Sequence, residues 1–322
     1  MAIPRAALSA HRNLLAVPLL ALLWGLNWPA VKTVLAEVAP WTLRTTGMGL
    51  GALLLFGLAC LRGQSLRVPR AHWPRLLAAG VLTVAAFNLL VAFAQLSGST
   101  SRAAIVTFTM PVWAIALAWP VLGERPDARR WAALALGVAG LLILAAPIVR
   151  AGTLPAGIVY SLGAGFCWAA GLVFIKRFPV DAAPLSSTAW QLLVGAVTAG
   201  IGMLAVEGVP VPKALSAAAS VALAFHVVLA TALAYFIWFE VMTRLPAGVA
   251  ALGTLMVPVV GVSSAMWLLG ERPSPFDLAG FGLILAAAVV GMKRASAAPA
   301  AAVRPGKTAT RRNPVSPPAG RS

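Results

Sequence analysis

The chain has 322 residues, 60% of them hydrophobic and only 10% charged. A soluble domain of this length carries roughly a quarter charged residues, so a water-facing globular surface is excluded and most of the outer face must meet lipid. The net charge of +17 would fit a nucleic-acid partner, but its placement along the chain argues against one.

A spanning helix needs about 20 mostly apolar residues, and such segments fall near 14–36, 41–61, 75–97, 100–122, 130–148, 154–175, 185–206, 218–243, 247–269 and 275–292. The expected fold is therefore an all-α polytopic membrane protein with ten transmembrane helices. Residues 1–13 form a short basic segment, expected to be cytoplasmic. The apolar run behind it has no small-residue cleavage site and continues through Trp24, Asn27 and Pro29, so it reads as a retained span rather than a signal peptide. Trp24 and Asn27 share a face of this first helix, and Pro29 frees backbone carbonyls that either coordinate a ligand or let the helix kink. In the second helix, Arg44 falls near the outer end, while Gly47 and Gly51 read as close-packing points. Arg44 and Arg102 are read either as interfacial anchors or as attractors of a substrate carboxylate.

The third helix carries Asn88 and Gln95, seven residues apart and on one face. They either line a cavity or act as interhelical hydrogen-bond glue worth about 1 kcal/mol. The fourth contains Pro111 and ends in Leu-Gly-Glu-Arg-Pro at 122–126. Trp168 lies in the sixth. Trp24 and Trp168 sit deep enough to line a cavity, although tryptophans also form interfacial belts, as expected of Trp41, Trp73 and Trp131. In the eighth helix Thr231, Tyr235 and Trp238 share a face. Glu240, with His226 near its own face rather than that of Tyr235, is a candidate for proton coupling. Snorkelling, or pairing with Arg244, explains Glu240 with less machinery. Pro258 lies in the ninth helix, which ends in a second Leu-Gly-Glu-Arg-Pro at 269–273. Pro111 and Pro258 are either hinges or fixed curves. Cys60 and Cys167 suggest no disulfide, no metal-ligand spacing is present, and no cofactor is expected. Residues 293–322 are rich in Ala, Pro and Arg and are expected to be a disordered basic cytoplasmic tail.

The two pentapeptides stand 147 residues apart, and the register holds upstream: Ala103-Ala104 falls on Ala250-Ala251 and Met110-Pro111 on Val257-Pro258. Asn88 falls on Tyr235 at the same offset. A looser echo links Trp24 to Trp168. Residues 14–148 and 149–292 thus read as two five-helix repeats. Five is odd, so the second copy enters the membrane from the opposite side and the repeats are inverted, an arrangement that holds a substrate near the midplane. Gly123 and Gly270 can end their helices in a left-handed conformation, Pro126 and Pro273 stop them, and Asp127 or Ser274 can cap the next helix. Glu124-Arg125 and Glu271-Arg272 would sit at headgroup depth. The motif is read as a structural joint, with a gating salt bridge as the alternative.

Two five-helix units, each with Ala-Ala, a fourth-helix proline and Leu-Gly-Glu-Arg before the fifth helix, resemble the drug/metabolite transporter superfamily, and within it the EamA type. The resemblance covers nearly all of 14–292. It implies a basket of ten helices that moves small metabolites, amino acids among them, often in exchange for protons, as a monomer or homodimer in a bacterial inner membrane. Most of the 25 basic residues fall on the side of the amino terminus if that end is inside: Arg62, Arg67, Arg70 and Arg75, then Arg125, Arg129 and Arg130, then Lys176 and Arg177, then the tail. The positive-inside rule puts both termini in the cytoplasm, and the charge needs only anionic headgroups as partners. An intramembrane enzyme would want a cluster of His, Cys and acidic groups, yet the only histidines are His11, His72 and His226. A channel would show a ring of like polar groups, and none repeats. A transporter of small molecules is the expectation, with a nucleotide-sugar or drug carrier as the alternative.

Overall fold

The computed structural model describes residues 5–150, 152, 156–211, 213–238 and 247–292. Every regular element among them is helical. We label the stretches α1 (Arg5–Leu35), α2 (Pro40–Leu61), α3 (Arg70–Leu96), α4 (Thr100–Leu122), α5 (Ala128–Arg150), α6 (Ala156–Arg177), α7 (Pro184–Glu207), α8 (Ala217–Trp238), α9 (Ala247–Leu269) and α10 (Pro275–Met292). Eight are long and apolar enough to cross a membrane, and apolar stretches of α9 and α10 are shorter. Lipid-facing positions stay apolar, as with Leu53, Leu142 and Ile201. The tail and Glu240 lie outside the described residues.

The helices begin and end where local chemistry dictates. Gly123 and Gly270 adopt φ of +72° and +67°, ending α4 and α9 in the left-handed region where a Cβ is penalised. Asp127 then accepts from Arg130 N at 2.9 Å. Ser274 and Asp277 form a reciprocal box, with Ser274 N donating to Asp277 Oδ2 and Asp277 N to Ser274 Oγ. These are caps that satisfy first-turn amides otherwise left without partners.

Other caps come from distant chain. Glu271, just past α9, accepts from Thr100 N, Ser101 N and Ser101 Oγ at the start of α4 (2.6, 2.8 and 2.5 Å). Glu207 likewise accepts from Trp41 N and Thr42 N at the start of α2 (2.9 and 2.8 Å). Glu37 accepts from Ser216 N and Oγ at the start of α8. A carboxylate at a helix N-terminus also meets the positive end of the helix dipole.

Packing follows a swap of the two halves. α5 lies against α10, α2 against α7 and α4 against α9. The contact of α1 with α9 has its counterpart in α6 with α4, that of α3 with α6 in α8 with α1, and that of α2 with α8 in α7 with α3. Two wide π turns also fall at matched places, Gly80–Ala86 in α3 and Phe225–Leu233 in α8.

The prolines differ. Pro258 lies inside the continuous α9. Pro111 instead opens the second piece of α4, because the helix ends at Thr107 and restarts at Met110. Without an N–H, Pro111 cannot bond back to Thr107, and a tight turn at Phe108–Thr109 fills the gap, with Thr109 Oγ1 donating to Val106 O. The expectation that both prolines sit mid-helix therefore holds for one of them.

Candidate functional site

Trp24, Asn27, Asn88, Gln95, Trp168, Tyr235 and Trp238 all line one cavity of about 420 Å³, and so do Pro111, Pro258's neighbour Val257, Arg44, Thr231 and His226. Its walls come from α1, α2, α3, α4, α6, α7, α8 and α9, so neither half encloses it alone. The volume suits a small molecule.

One wall is aromatic. Trp24 meets Tyr235 edge-on at 5.9 Å between centroids and Trp238 at 5.5 Å. Such offset ring pairs stabilise beyond the area they bury. Across the cavity, Trp168 packs on Phe87 at 4.8 Å.

The amides take two roles. Asn88 Nδ2 donates to Val84 O one turn earlier at 2.9 Å, which leaves its Oδ1 to offer the cavity. Gln95 is fully buried, and its Nε2 donates to Trp28 O at 2.9 Å. It thereby ties α3 to α1 while lining the cavity; its Oε1 has no partner among the described residues. Lys32 Nζ donates to the main-chain oxygen of Gln95 and holds the end of α3 to α1.

His226 corrects the sequence reading. At about 100° per residue of α-helix, it would sit opposite Tyr235. Both line the cavity, because i→i+5 bonding through Phe225–Leu233 winds the chain more slowly than an α-helix. Its Nδ1 lies 2.8 Å from Asn27 Oδ1; with that oxygen accepting, Nδ1 carries the proton and Nε2 is left as an acceptor. The ring fits because position 47 is glycine: a Cβ there would lie 2.7 Å from Nε2. Glu240, the other candidate for proton coupling, lies outside the described residues.

The two arginines of undecided role separate. Arg102 is a joint: its Nε and Nη2 donate to Asp277 Oδ1 at 2.9 and 2.7 Å. Arg44 is 1% exposed, lines the cavity and has no hydrogen-bond or ion-pair partner among the described residues. It is not the interfacial anchor that its place near the end of α2 suggests. Spacing held a signal, since Arg44, Gly47 and Gly51 recur on one helical face, and small residues mark the face that packs inward.

The pentapeptide residues stand away from the cavity. Glu124 pairs with Lys176 at 2.5 Å and with Arg130 at 3.7 Å rather than with Arg125, and Glu271 caps α4. Arg125 and Arg272 are exposed. The cross-caps of Glu37 and Glu207 carry no local signal, since their partners lie 179 and 166 residues away. Among the described residues no group of His, Cys, Asp and Glu could hold a metal ion, and both cysteines are free.

The EamA-like transporter family model matches residues 12–146 and again 155–292. A probable amino-acid metabolite efflux pump of Salmonella typhimurium is 28% identical over 277 residues, covering 83% of this chain and 90% of that one. Its Escherichia coli counterpart of the same description is 26% identical with the same coverage. An uncharacterized transporter of Bacillus subtilis, YvbV, is 26% identical over 91% of this chain and 95% of its own. A solved crystal structure superposes with a TM-score of 0.61 at 21% identity, covering 87% of this chain and 96% of that one, a likeness of fold.

Proposed function

The chain belongs to the EamA-like transporter family, and on that footing we propose that it is a secondary active transporter that exports small metabolites, amino acids and their relatives among them, by alternating access. The observation that carries this reading is the shared cavity. Polar and aromatic side chains from both matched units converge on it, with Asn88 of one and Tyr235 of the other at equivalent register. Inverted repeats place a substrate between the halves, where rocking one against the other exposes it to each side in turn. In this reading the ten helices all cross the bacterial inner membrane, both termini are cytoplasmic, and α1–α5 and α6–α10 are the inverted units. The matched π turns, the matched left-handed glycines and the swap-related packing support that assignment.

The cavity offers one histidine for coupling to protons. With Nδ1 donating to Asn27 Oδ1, His226 keeps Nε2 available to take a proton, and a proton taken up there alters a group that lines the path. Pro111 and Pro258 lie at matched positions beside the cavity and serve as pivots in this scheme.

The test is counterflow in proteoliposomes loaded with a pool of amino acids and related metabolites, with and without a pH gradient. Saturable accumulation of one chemical class, dependent on preloading, is expected. Replacement of His226 by Gln should abolish the response to the gradient while leaving exchange intact. Absence of exchange by folded protein for every solute in the pool, cationic drugs and sugar nucleotides included, would sink the transport reading.

A further inference from the structure

Arg44 stands alone in a way no other described basic residue of the interior does. It is 1% exposed, its Nε is buried without a partner, and no carboxylate lies within ion-pairing reach among the described residues. A buried charge is ordinarily paired, because its removal from water is expensive. The chain has acids to spare elsewhere, yet they sit at helix ends: Glu37, Glu207 and Glu271 cap other helices, Asp277 takes Arg102, and Glu124 takes Lys176. None of the cavity's described lining residues is acidic. His226, which lines the same cavity, is close enough to Arg44 for the two to interact electrostatically, and a histidine cannot neutralise it. No described residue supplies the missing counter-ion, and a bound anion would.

We infer that Arg44 is the binding residue for the carboxylate of a small monoanionic substrate whose apolar or aromatic body lies against Trp24, Trp168 and Trp238. A guanidinium presents a planar fork of donors that fits a carboxylate in a bidentate manner. The position favours it further. On the same α2 face, Gly47 and Gly51 leave the room that His226 and Thr231 fill. The remaining polar groups of the wall are neutral: Asn27, Asn88, Gln95 and Tyr235. With a single positive charge and no described acid, the cavity matches one negative charge and disfavours a cation or a polyanion. This inference rests on the transport reading for the word substrate, and names the class that reading leaves open.

Purified protein in nonionic detergent would be titrated with phenylacetate and with its uncharged isostere phenylacetamide, read by quenching of tryptophan fluorescence. N-acetylphenylalanine and benzoate, both monoanions at neutral pH, would be added as further carboxylates. Carboxylates should bind saturably and phenylacetamide about tenfold or more weakly, the worth of one charge-assisted contact. R44Q should lose that preference and R44K should recover part of it, with R44Q melting no lower than wild type, since removing an unpaired buried charge relieves the fold. A purely structural arginine would instead lower the midpoint in R44Q and leave the carboxylate preference in R44K complete. Equal binding of acid and amide, binding undiminished in R44Q, or no response to any of the carboxylates would each overturn the inference. Phosphatidylglycerol added to the same micelles separates the two sources of anion: loss of phenylacetate binding in wild type would replace the small molecule with a lipid headgroup. Counterflow keeps the two readings apart. Exchange of neutral or cationic solutes alone would overturn the role of Arg44 and leave transport standing, whereas Arg44-dependent binding without exchange would do the reverse.

Discussion

Glu37, Glu207 and Glu271 each place a carboxylate on the first amides of another helix, and their common use explains why so few acids suffice for the chain. Glu37 gives a test by pH. Hydrogen bonds from the Ser216 side chain and then from its backbone N–H hold its carboxyl below the ordinary value of 4.5. A carboxyl lowered in the folded state contributes stability in full above the ordinary value and loses it as pH falls through the lowered one. The gap in melting midpoint between wild type and E37Q should therefore be constant near neutrality and close below about pH 4.5; a gap unchanged in acid would remove this link. Gly47 gives a second test at this scale. A methyl group there would lie 2.7 Å from His226 Nε2, and the ring is held by Asn27. G47A should destabilise by about 1–3 kcal/mol, the range for overpacking, and the loss should largely vanish in an H226A background, read as a coupling between the two changes. Equal losses in both backgrounds would mean the ring is not what the methyl meets.

At the level of elements, both copies of the repeated pentapeptide end a helix at a left-handed glycine, and their glutamates have different partners. Gly123 and Gly270 both need the left-handed region and face open space, so the cost of a side chain there is one of backbone alone. G123A and G270A should each lower stability by about 1–2 kcal/mol without changing substrate affinity; an effect on affinity would revive a gating role. E271Q keeps the shape of the cap but weakens acceptance from Thr100 and Ser101, and should cost about 1–2 kcal/mol, measured as a shifted thermal midpoint. E124Q, which touches an exposed lysine 64% open to solvent, should cost less than 1 kcal/mol. Much of this was legible locally. A glycine, then a proline, then a capping residue announces a helix end and the start of the next, and Asp127, Ser274, Gly123 and Gly270 sit where that rule puts them. The reach of Glu271 to α4 was not legible, since it spans 171 residues and no local pattern encodes it.

For the whole molecule, the proposed inverted arrangement has a direct consequence. Asp127 and Ser274 occupy the same place in the two units but should face opposite sides of the membrane. In a background with Cys60 and Cys167 replaced, D127C should react with an impermeant maleimide only from the cytoplasmic side and S274C only from the other; labelling from one side alone would refute the inversion. Hydropathy and the 147-residue register determined by themselves that this is a helical membrane protein of two related units, because burial in lipid demands long apolar helices and duplication leaves its register in the chain. They also singled out the seven side chains that share the cavity, since polar groups in apolar helices face inward. Only the tertiary structure decided which ionisable groups join them. The π turn that rotates His226 onto the face of Tyr235 breaks the 3.6-residue periodicity on which sequence reading depends. Arg44 and Arg102 both fall near helix ends in the sequence, but the fold sets Asp277 against Arg102 and buries Arg44 in the cavity wall with no ion-pair partner among the described residues.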